Sequence, residues 1–443
     1  MYPFKMIQHG IFILLVTVLF SDTILAQTFN KAKLDSLFCS LEQKKMAMGS
    51  LVMSRSGKIL YSKTIGYSLY KKGEKIVSTE NTRYRVGSIS KMFTATIIFQ
   101  LEEEGKLNLA NSLEKYFPQI PNSKNITIGN LLNHRSGFQN FTHVNQKRKA
   151  KTREEMLDMI SSGKIEQSGQ KTIYSNANYL LLGYIIEKVC NKSLEDVLNE
   201  RILSRIGLVN TYYGHDPDVK KNECYSYKFK SDWRQKPAMD LSIVGGSGAI
   251  ISTPVDLTRF IEALFSNKLI SQYSLDKMKN IVDEEGMGME EYSFYTKKAY
   301  GHPGGIDAFE SIVAYFPEDS LAITYCSNGQ VYPVENIVVG ALSIYFGKPF
   351  SLPLFKKAIV RKGVLKKYCG SYSSIQTHLN LVITKRKDFL FAKVAGFPSY
   401  PIEAIEKNKF VFELADVIIE FNPGNNGLKL KQGGINYSFI KSR

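Results

Sequence analysis

Ser88 and Lys91 stand three residues apart in Arg85-Val86-Gly87-Ser88-Ile89-Ser90-Lys91-Met92-Phe93. On a helix, residues three apart share a face, so this spacing places the Lys91 amine one turn from the Ser88 hydroxyl. That is a way to activate a serine. A lysine withdrawn from water can take and return protons while its charge favours an alkoxide, and a helix N-terminus adds positive potential at the same place. Ser90 cannot play this part, because adjacent helical residues diverge by about 100°. The bare pattern is common: Ser-x-x-Lys starts at Ser68, Ser88, Ser112, Ser161, Ser168, Ser274 and Ser438, so six of the seven matches are expected to be chance. His134 is another group able to act as a base. Flanked by Leu131-Leu132 and a turn at Ser136-Gly137, it reads instead as a histidine that holds a loop by hydrogen bonds.

The elements that must position these groups follow from pattern. Residues 28–45 predict a helix with Leu34, Leu37, Phe38 and Leu41 on one stripe, followed by a hairpin turning at Ser56-Gly57-Lys58. Ser88 should open an amphipathic helix with Ile89, Met92, Phe93, Ile97 and Leu101 on its apolar face and a stop at Gly105. Residues 126–137 predict a short helix ending in a turn, and 139–172 a polar, basic, mobile insertion with one helix near 153–160. A helix is expected from about Asn178 to Val189, and another from Ser193. Gly245 to Ser252 reads as a glycine-edged strand, and Thr253-Pro254-Val255-Asp256 as a helix start with Thr as N-cap, Pro at N1 and Asp at N3. Tyr300 to Gly305 precedes two β runs, 311–316 and 321–326, and a helix near 335–346 completes the set. Both ends of the 30–350 region thus feed one antiparallel sheet flanked by helices. Past Pro349, short alternating runs in 356–443 predict a separate all-β module, a barrel or a sandwich.

The chain has 443 residues, 44% hydrophobic and 22% charged, ordinary values for a globular protein of two or three domains. Residues 1–26 stand apart: Lys5, an apolar run from Ile11 to Phe20, then Asp22 to Ala26. Such a run is too short to span a bilayer, and the layout is that of a secretory signal peptide cut after Ala26. The protein is therefore expected to be exported, to a periplasm or outside the cell, with no transmembrane segment after cleavage. Removing 1–26 leaves the net charge at +17. The excess concentrates at Lys147, Arg148, Lys149, Lys151 and Arg153, and at Lys356, Lys357, Arg361, Lys362, Lys366 and Lys367. For an exported chain this suits a cell-envelope surface better than nucleic acid. The five cysteines are scattered, with no spacing that suggests a metal, and Cys190 and Cys326 are expected as buried free thiols.

Three motifs stand in order: Ser88-x-x-Lys91, Tyr174-x-Asn176 and His302-x-Gly304. Together with Gly105 to Pro118, Ile126 to Gly137, Tyr179 to Gly183, Ile206-Gly207-Leu208 and Gly248 to Asp256, they resemble the serine hydrolases that include class C β-lactamases, serine DD-carboxypeptidases, D-aminopeptidases and related esterases. The resemblance covers roughly residues 30–350. It implies an α/β (α+β) fold, an antiparallel sheet with helices and an all-α subdomain, followed here by a small barrel-like domain. The implied divisions are a signal peptide at 1–26, a hydrolase domain at 27–350 and a β domain at 356–443. It further implies an acyl-enzyme on Ser88, with Lys91 or Tyr174 as the base and nearby cations favouring the Tyr174 phenolate. Asn176 would give its amide to substrate and to Lys91. His302, Gly304 and Gly305 would line the substrate strand, with the N–H groups of Ser88 and Gly305 as oxyanion hole. No cofactor or metal is implied. His302 stands where many β-lactamases of this class carry Lys, Pro303 replaces a hydroxyl residue, and Ser168-Gly169 replaces Pro-Gly. These departures point away from carboxylate-bearing β-lactams and toward an amide or ester in a D-residue peptide, another β-lactam-like compound or a small ester. Two other readings share the scaffold: an esterase, and a catalytically silent ligand-binding or envelope protein.

Overall fold

A computed structural model describes residues 30–140, 151–163, 165–166, 169, 171–230, 232–350, 352–353, 362–374, 379–386, 389–394, 399–412, 417–432 and 435–442. The expected signal peptide, Lys147 to Lys149 of the first basic cluster, and Lys356, Lys357 and Arg361 of the second lie outside these residues. No helix among the described residues is long and apolar enough to cross a membrane.

The main sheet is antiparallel along its path and built from both ends of the hydrolase region. Its strands run in the order Glu290–Phe294, Lys297–Ile306, Phe309–Phe316, Leu321–Gln330, Ala47–Arg55 and Lys58–Ile65, and the short strand Tyr227–Phe229 attaches to Leu321–Gln330 and carries Trp233–Gln235 in turn. Side chains alternate across it as a strand's period of two requires. In Leu321–Gln330, Leu321, Ile323 and Tyr325 join a core with the Lys31–Gln43 and Val334–Tyr345 helices, while Ala322 and Cys326 join the larger core on the other face. The first helix buries Leu34, Leu37, Phe38 and Leu41, the stripe read from sequence.

The larger core surrounds the Ser90–Glu103 helix, which differs from expectation in two ways. Ser88 does not lie in the α-helix but in a 3-10 turn, Gly87–Ile89, that leads into it. Nor is the helix amphipathic: every residue from Ser90 to Leu101 is buried. The cause is its central position, with the sheet on one side and the Asn176–Cys190 and Pro254–Phe265 helices around it; Phe93 stacks on Phe260 with ring centroids 3.7 Å apart. The Pro254–Phe265 helix starts as predicted, Thr253 accepting from Asp256 N with Pro at its first turn.

Gly245–Ser247 forms a 3-10 turn rather than the edge of a strand, which is confined to Ile250–Ser252. Gly245 takes a positive φ of 43°, and a Cβ on Gly246 would stand 2.6 Å from the Tyr179 carbonyl oxygen, so this stretch turns against the Asn176–Cys190 helix. Cys326 is buried as expected, but Cys190, at the end of its helix, is half-buried.

Residues 370–441 form a closed barrel of eight antiparallel strands around Tyr368, Tyr372, Ile383, Leu390, Phe410 and Phe421. Phe412 of this barrel also packs against the core cluster that contains the Val334–Tyr345 helix.

Candidate active site

The structure brings Ser88, Lys91, Tyr174 and Asn176 together, with His302 at one wall. Lys91 is fully buried, and its three N–H donors meet Ser88 Oγ at 3.0 Å, Asn176 Oδ1 at 2.8 Å and the Ser247 carbonyl at 3.0 Å. Burial lowers its pKa to about 7, against the attraction of Glu285 and Glu290. Ser90 takes no part: its Oγ accepts from Ile250 N. Ser88 itself stays partly open to solvent.

Asn176 begins the Asn176–Cys190 helix, and Ser175 caps it by accepting from Ala177 N. The amide meets Lys91 through its oxygen, not through its NH2 as the resemblance suggested, because an ammonium offers donors only. Lys91 Nζ lies 4.8 Å from the centroid of the Tyr174 ring and 5.7 Å from that of Tyr179. The expectation that neighbouring cations favour a Tyr174 phenolate does not hold. Burial raises this phenol's pKa well above its ordinary value, helped by Glu285 and Glu290 and opposed by a hydrogen bond with Ser88. Burial thus brings the lysine's pKa toward neutrality and carries the tyrosine's away from it.

Gly87 holds the serine turn against the strand on the opposite side of the site. Its φ is +54°, and a Cβ there would come within 2.8 Å of Gly305 N. Gly305 is exposed on the Lys297–Ile306 strand, with open space where a Cβ would stand, whereas Gly304 is buried against the Val86 carbonyl. His302 is buried on the same strand; its Nδ1 donates to the Pro303 carbonyl at 2.6 Å, which leaves Nε2 as the lone-pair nitrogen. Burial, then the nearby Lys91, lowers its pKa to about 3, so it is neutral.

Arg85 ties the approach to Ser88 to the far end of that strand. It meets Asp307 at 3.3 Å and donates to the carbonyls of Met239 at 2.7 Å and His215 at 2.8 Å, with both charged side chains buried. Removing Arg85 takes a buried cation from beside a buried carboxylate, so Arg85→Met should cost about 3–5 kcal/mol in urea unfolding. Arg85→Met with Asp307→Asn should recover part of that loss.

Sequence reasoning missed Glu285 and Glu290. Glu290 lies opposite Gly301 in the strand pairing, one residue before His302. Burial first, then mutual repulsion, raises Glu285 to about 8. Burial raises Glu290 to about 7, opposed by its hydrogen bond from Tyr292. The only local signal is the acidic run Asp283-Glu284-Glu285, which on its own reads as a solvated loop. Asp283 ties that loop to the rest of the site by accepting from Arg135 at 3.2 Å and Thr172 at 3.4 Å. Among the described residues, no group of three or more His, Cys, Asp or Glu is placed to hold a metal ion.

Residues 34–341 match the family model described as Beta-lactamase. Penicillin-binding protein 4* of Bacillus subtilis (strain 168) is 26% identical over 436 residues, covering 90% of this chain and 96% of that protein. Teichoic acid D-alanine hydrolase of Staphylococcus aureus is 27% identical over 290 residues, 65% of this chain and 71% of its own length. Among solved structures, the octameric penicillin-binding protein homologue from Pyrococcus abyssi superposes with a TM-score of 0.66 at 25% identity, covering 93% of this chain and all of that one (100%).

Proposed function

The chain belongs to the beta-lactamase family and is a hydrolase of amide or ester bonds, and from that premise we propose that it cleaves D-alanyl esters or amides through an acyl-enzyme on Ser88. One observation carries the mechanism: a desolvated lysine, near neutrality in charge at physiological pH, within 3.0 Å of a partly open serine hydroxyl. Ser88 Oγ attacks the acyl carbonyl while its proton passes to neutral Lys91. The N–H groups of Ser88 and Gly305 hold the oxyanion. The Lys91 ammonium returns the proton through the Tyr174 hydroxyl to the leaving group, and water, activated by the same groups in reverse, releases the acid. Asn176 orients Lys91, and His302 and Gly304 shape the wall along which the substrate lies.

The substrate class rests on two points. The teichoic acid D-alanine hydrolase shares 27% identity over 290 residues, 65% of this chain. His302 and Pro303 supply no cation at a place where a β-lactam carboxylate would need one. We further propose export through residues 1–26, a catalytic domain at 27–350 and the β domain at 356–443 as a module packed behind it, with a cell-envelope polymer as the setting of the substrate.

A fluorescent fluorophosphonate should label the wild type and not Ser88→Ala. In a panel of substrates, a D-alanyl nitrophenyl ester and a D-amino-acid amide should be turned over faster than a D-Ala-D-Ala peptide, and that faster than nitrocefin. Equal labelling of wild type and Ser88→Ala removes the mechanism; preference for nitrocefin removes the substrate assignment.

A further inference from the structure

We propose that His134 is a positioning residue for Tyr174, holding the chain on both sides of that tyrosine by hydrogen bonds. The inference rests on the mechanism above, in which Tyr174 carries the proton to the leaving group. The Ile173 N–H donates to the His134 carbonyl at 2.8 Å, and the Ser175 N–H donates to the His134 ring at Nδ1, at 3.2 Å. One residue thus fixes the backbone immediately before and immediately after Tyr174. The ring itself packs against Tyr174 with centroids 4.4 Å apart. Asn178 Nδ2 lies 3.0 Å from the same Nδ1, and Ser136 Oγ donates to Asn178 Oδ1 at 2.6 Å, so the clamp is braced from the helix behind it.

The donors decide the ring's state. Ser175 N–H can only donate, so Nδ1 must be the lone-pair nitrogen and the proton sits on Nε2. A second ring proton would set donor against donor, and burial with Lys91 and His302 nearby keeps the ring neutral. His134 is therefore not a competing base. It is also held at a φ of +58°, a backbone conformation uncommon outside glycine and asparagine. A loop that accepts this strain beside a candidate catalytic group is held there by its surroundings.

The test compares wild type, His134→Ala, His134→Asn and His134→Phe as full chains, each with its melting temperature. Asn places an acceptor oxygen where Nδ1 lies and tolerates a positive φ; Phe keeps the ring and loses the acceptor. Measured on a D-alanyl nitrophenyl ester and by the labelling rate of a fluorescent fluorophosphonate, Ala and Phe should lower kcat by about 10- to 100-fold with KM nearly unchanged. Asn should recover most of the loss. A pH profile separates positioning from general weakening. Lys91 faces Tyr174, Tyr179, His134, His302, Glu285 and Glu290. If Tyr174 shifts and admits water, the Lys91 amine becomes easier to protonate, and the acidic limb of the acylation rate should move up by about 0.5–1 pH unit in Ala and Phe. Simple loss of folded protein lowers the rate without moving that limb. Wild-type rates in Ala, recovery by Phe and not Asn, or an unmoved limb in a folded Ala variant would each overturn the proposal. A wild type that is not labelled at Ser88 would instead count against the mechanism itself.

Discussion

Lys91→Met should lower turnover by about 10⁴-fold while leaving the protein folded. Methionine fills nearly the same volume but offers no proton acceptor, so the effect isolates the amine from its packing. Lys91→Arg should be as inactive: a guanidinium stays protonated and cannot serve as a base. The wild type's pH profile follows from the same burial. In the proposed mechanism Lys91 takes the serine proton only when neutral, and with its folded pKa at about 7 acylation should fall about tenfold for each pH unit below that value. The stability sign runs the other way from an ordinary lysine that gains a partner. Between about 7 and 10.5 the unfolded chain holds a proton that the folded chain has lost, so this group makes stability rise with pH across that window. Below it, the folded state carries the full desolvation penalty of the ammonium. Lys91→Met should accordingly melt no lower than the wild type at pH 6, and thermal scans at pH 6 and 9 alongside turnover would show it. A variant retaining a tenth of wild-type turnover would be incompatible with lysine as the base.

Gly304→Ala is expected to damage both fold and rate. Its added methyl would run into the Val86 carbonyl oxygen and the Ser311 hydroxyl, the pair joined by a 3.0 Å hydrogen bond that locks the strand to the serine turn. The strand can relieve the clash only by moving away from Gly87 and Ser88, which separates the two N–H groups proposed to hold the oxyanion. About 1–3 kcal/mol of stability and about 100-fold in kcat should be lost. Gly305→Ala supplies the contrast, since nothing lies within 4 Å of its Cβ position; urea unfolding should match the wild type. Equal unfolding midpoints for Gly304→Ala and wild type would show that the strand and turn are not locked together.

Much of this was legible in the sequence because it is local or ordered. Thr253-Pro254 writes a helix start, Leu34 to Leu41 a helix stripe, and the order of the Ser88, Tyr174 and His302 motifs a site. What was lost depends on partners far along the chain. Lys297–Ile306 reads as a lead-in to strands because Gly301, Pro303, Gly304 and Gly305 disfavour pairing. The strand survives since, past Gly301, it is laddered on one side only, by Phe309–Phe316. Within the barrel strand Ser399–Glu406, Pro401 breaks the strand signal, and Ile435–Lys441 buries only Phe439. Glu290 carries no local mark and Glu285 only an acidic run that reads as solvated, as only the fold withdraws them from water. His134 was readable as a loop-holder, but that the loop it holds is Tyr174's could not be seen from spacing.

The closure of the C-terminal barrel bears on how copies of this chain meet one another. An open sheet ends in a row of unpaired N–H and C=O groups on which a second molecule can template a strand. Here eight strands are added and the last, Ile435–Lys441, pairs back to the first, Gly370–Ser373, at Tyr372–Lys441 and Ser373–Ile440, so among the described residues no strand of the module is left with a wholly free edge. The open edges of the main sheet are blunted by other means, Lys58 and Lys63 on one side and the five-residue, acid-led Glu290–Phe294 on the other. Among the described residues, the barrel thus adds eight strands to the molecule, each with a neighbour on both sides.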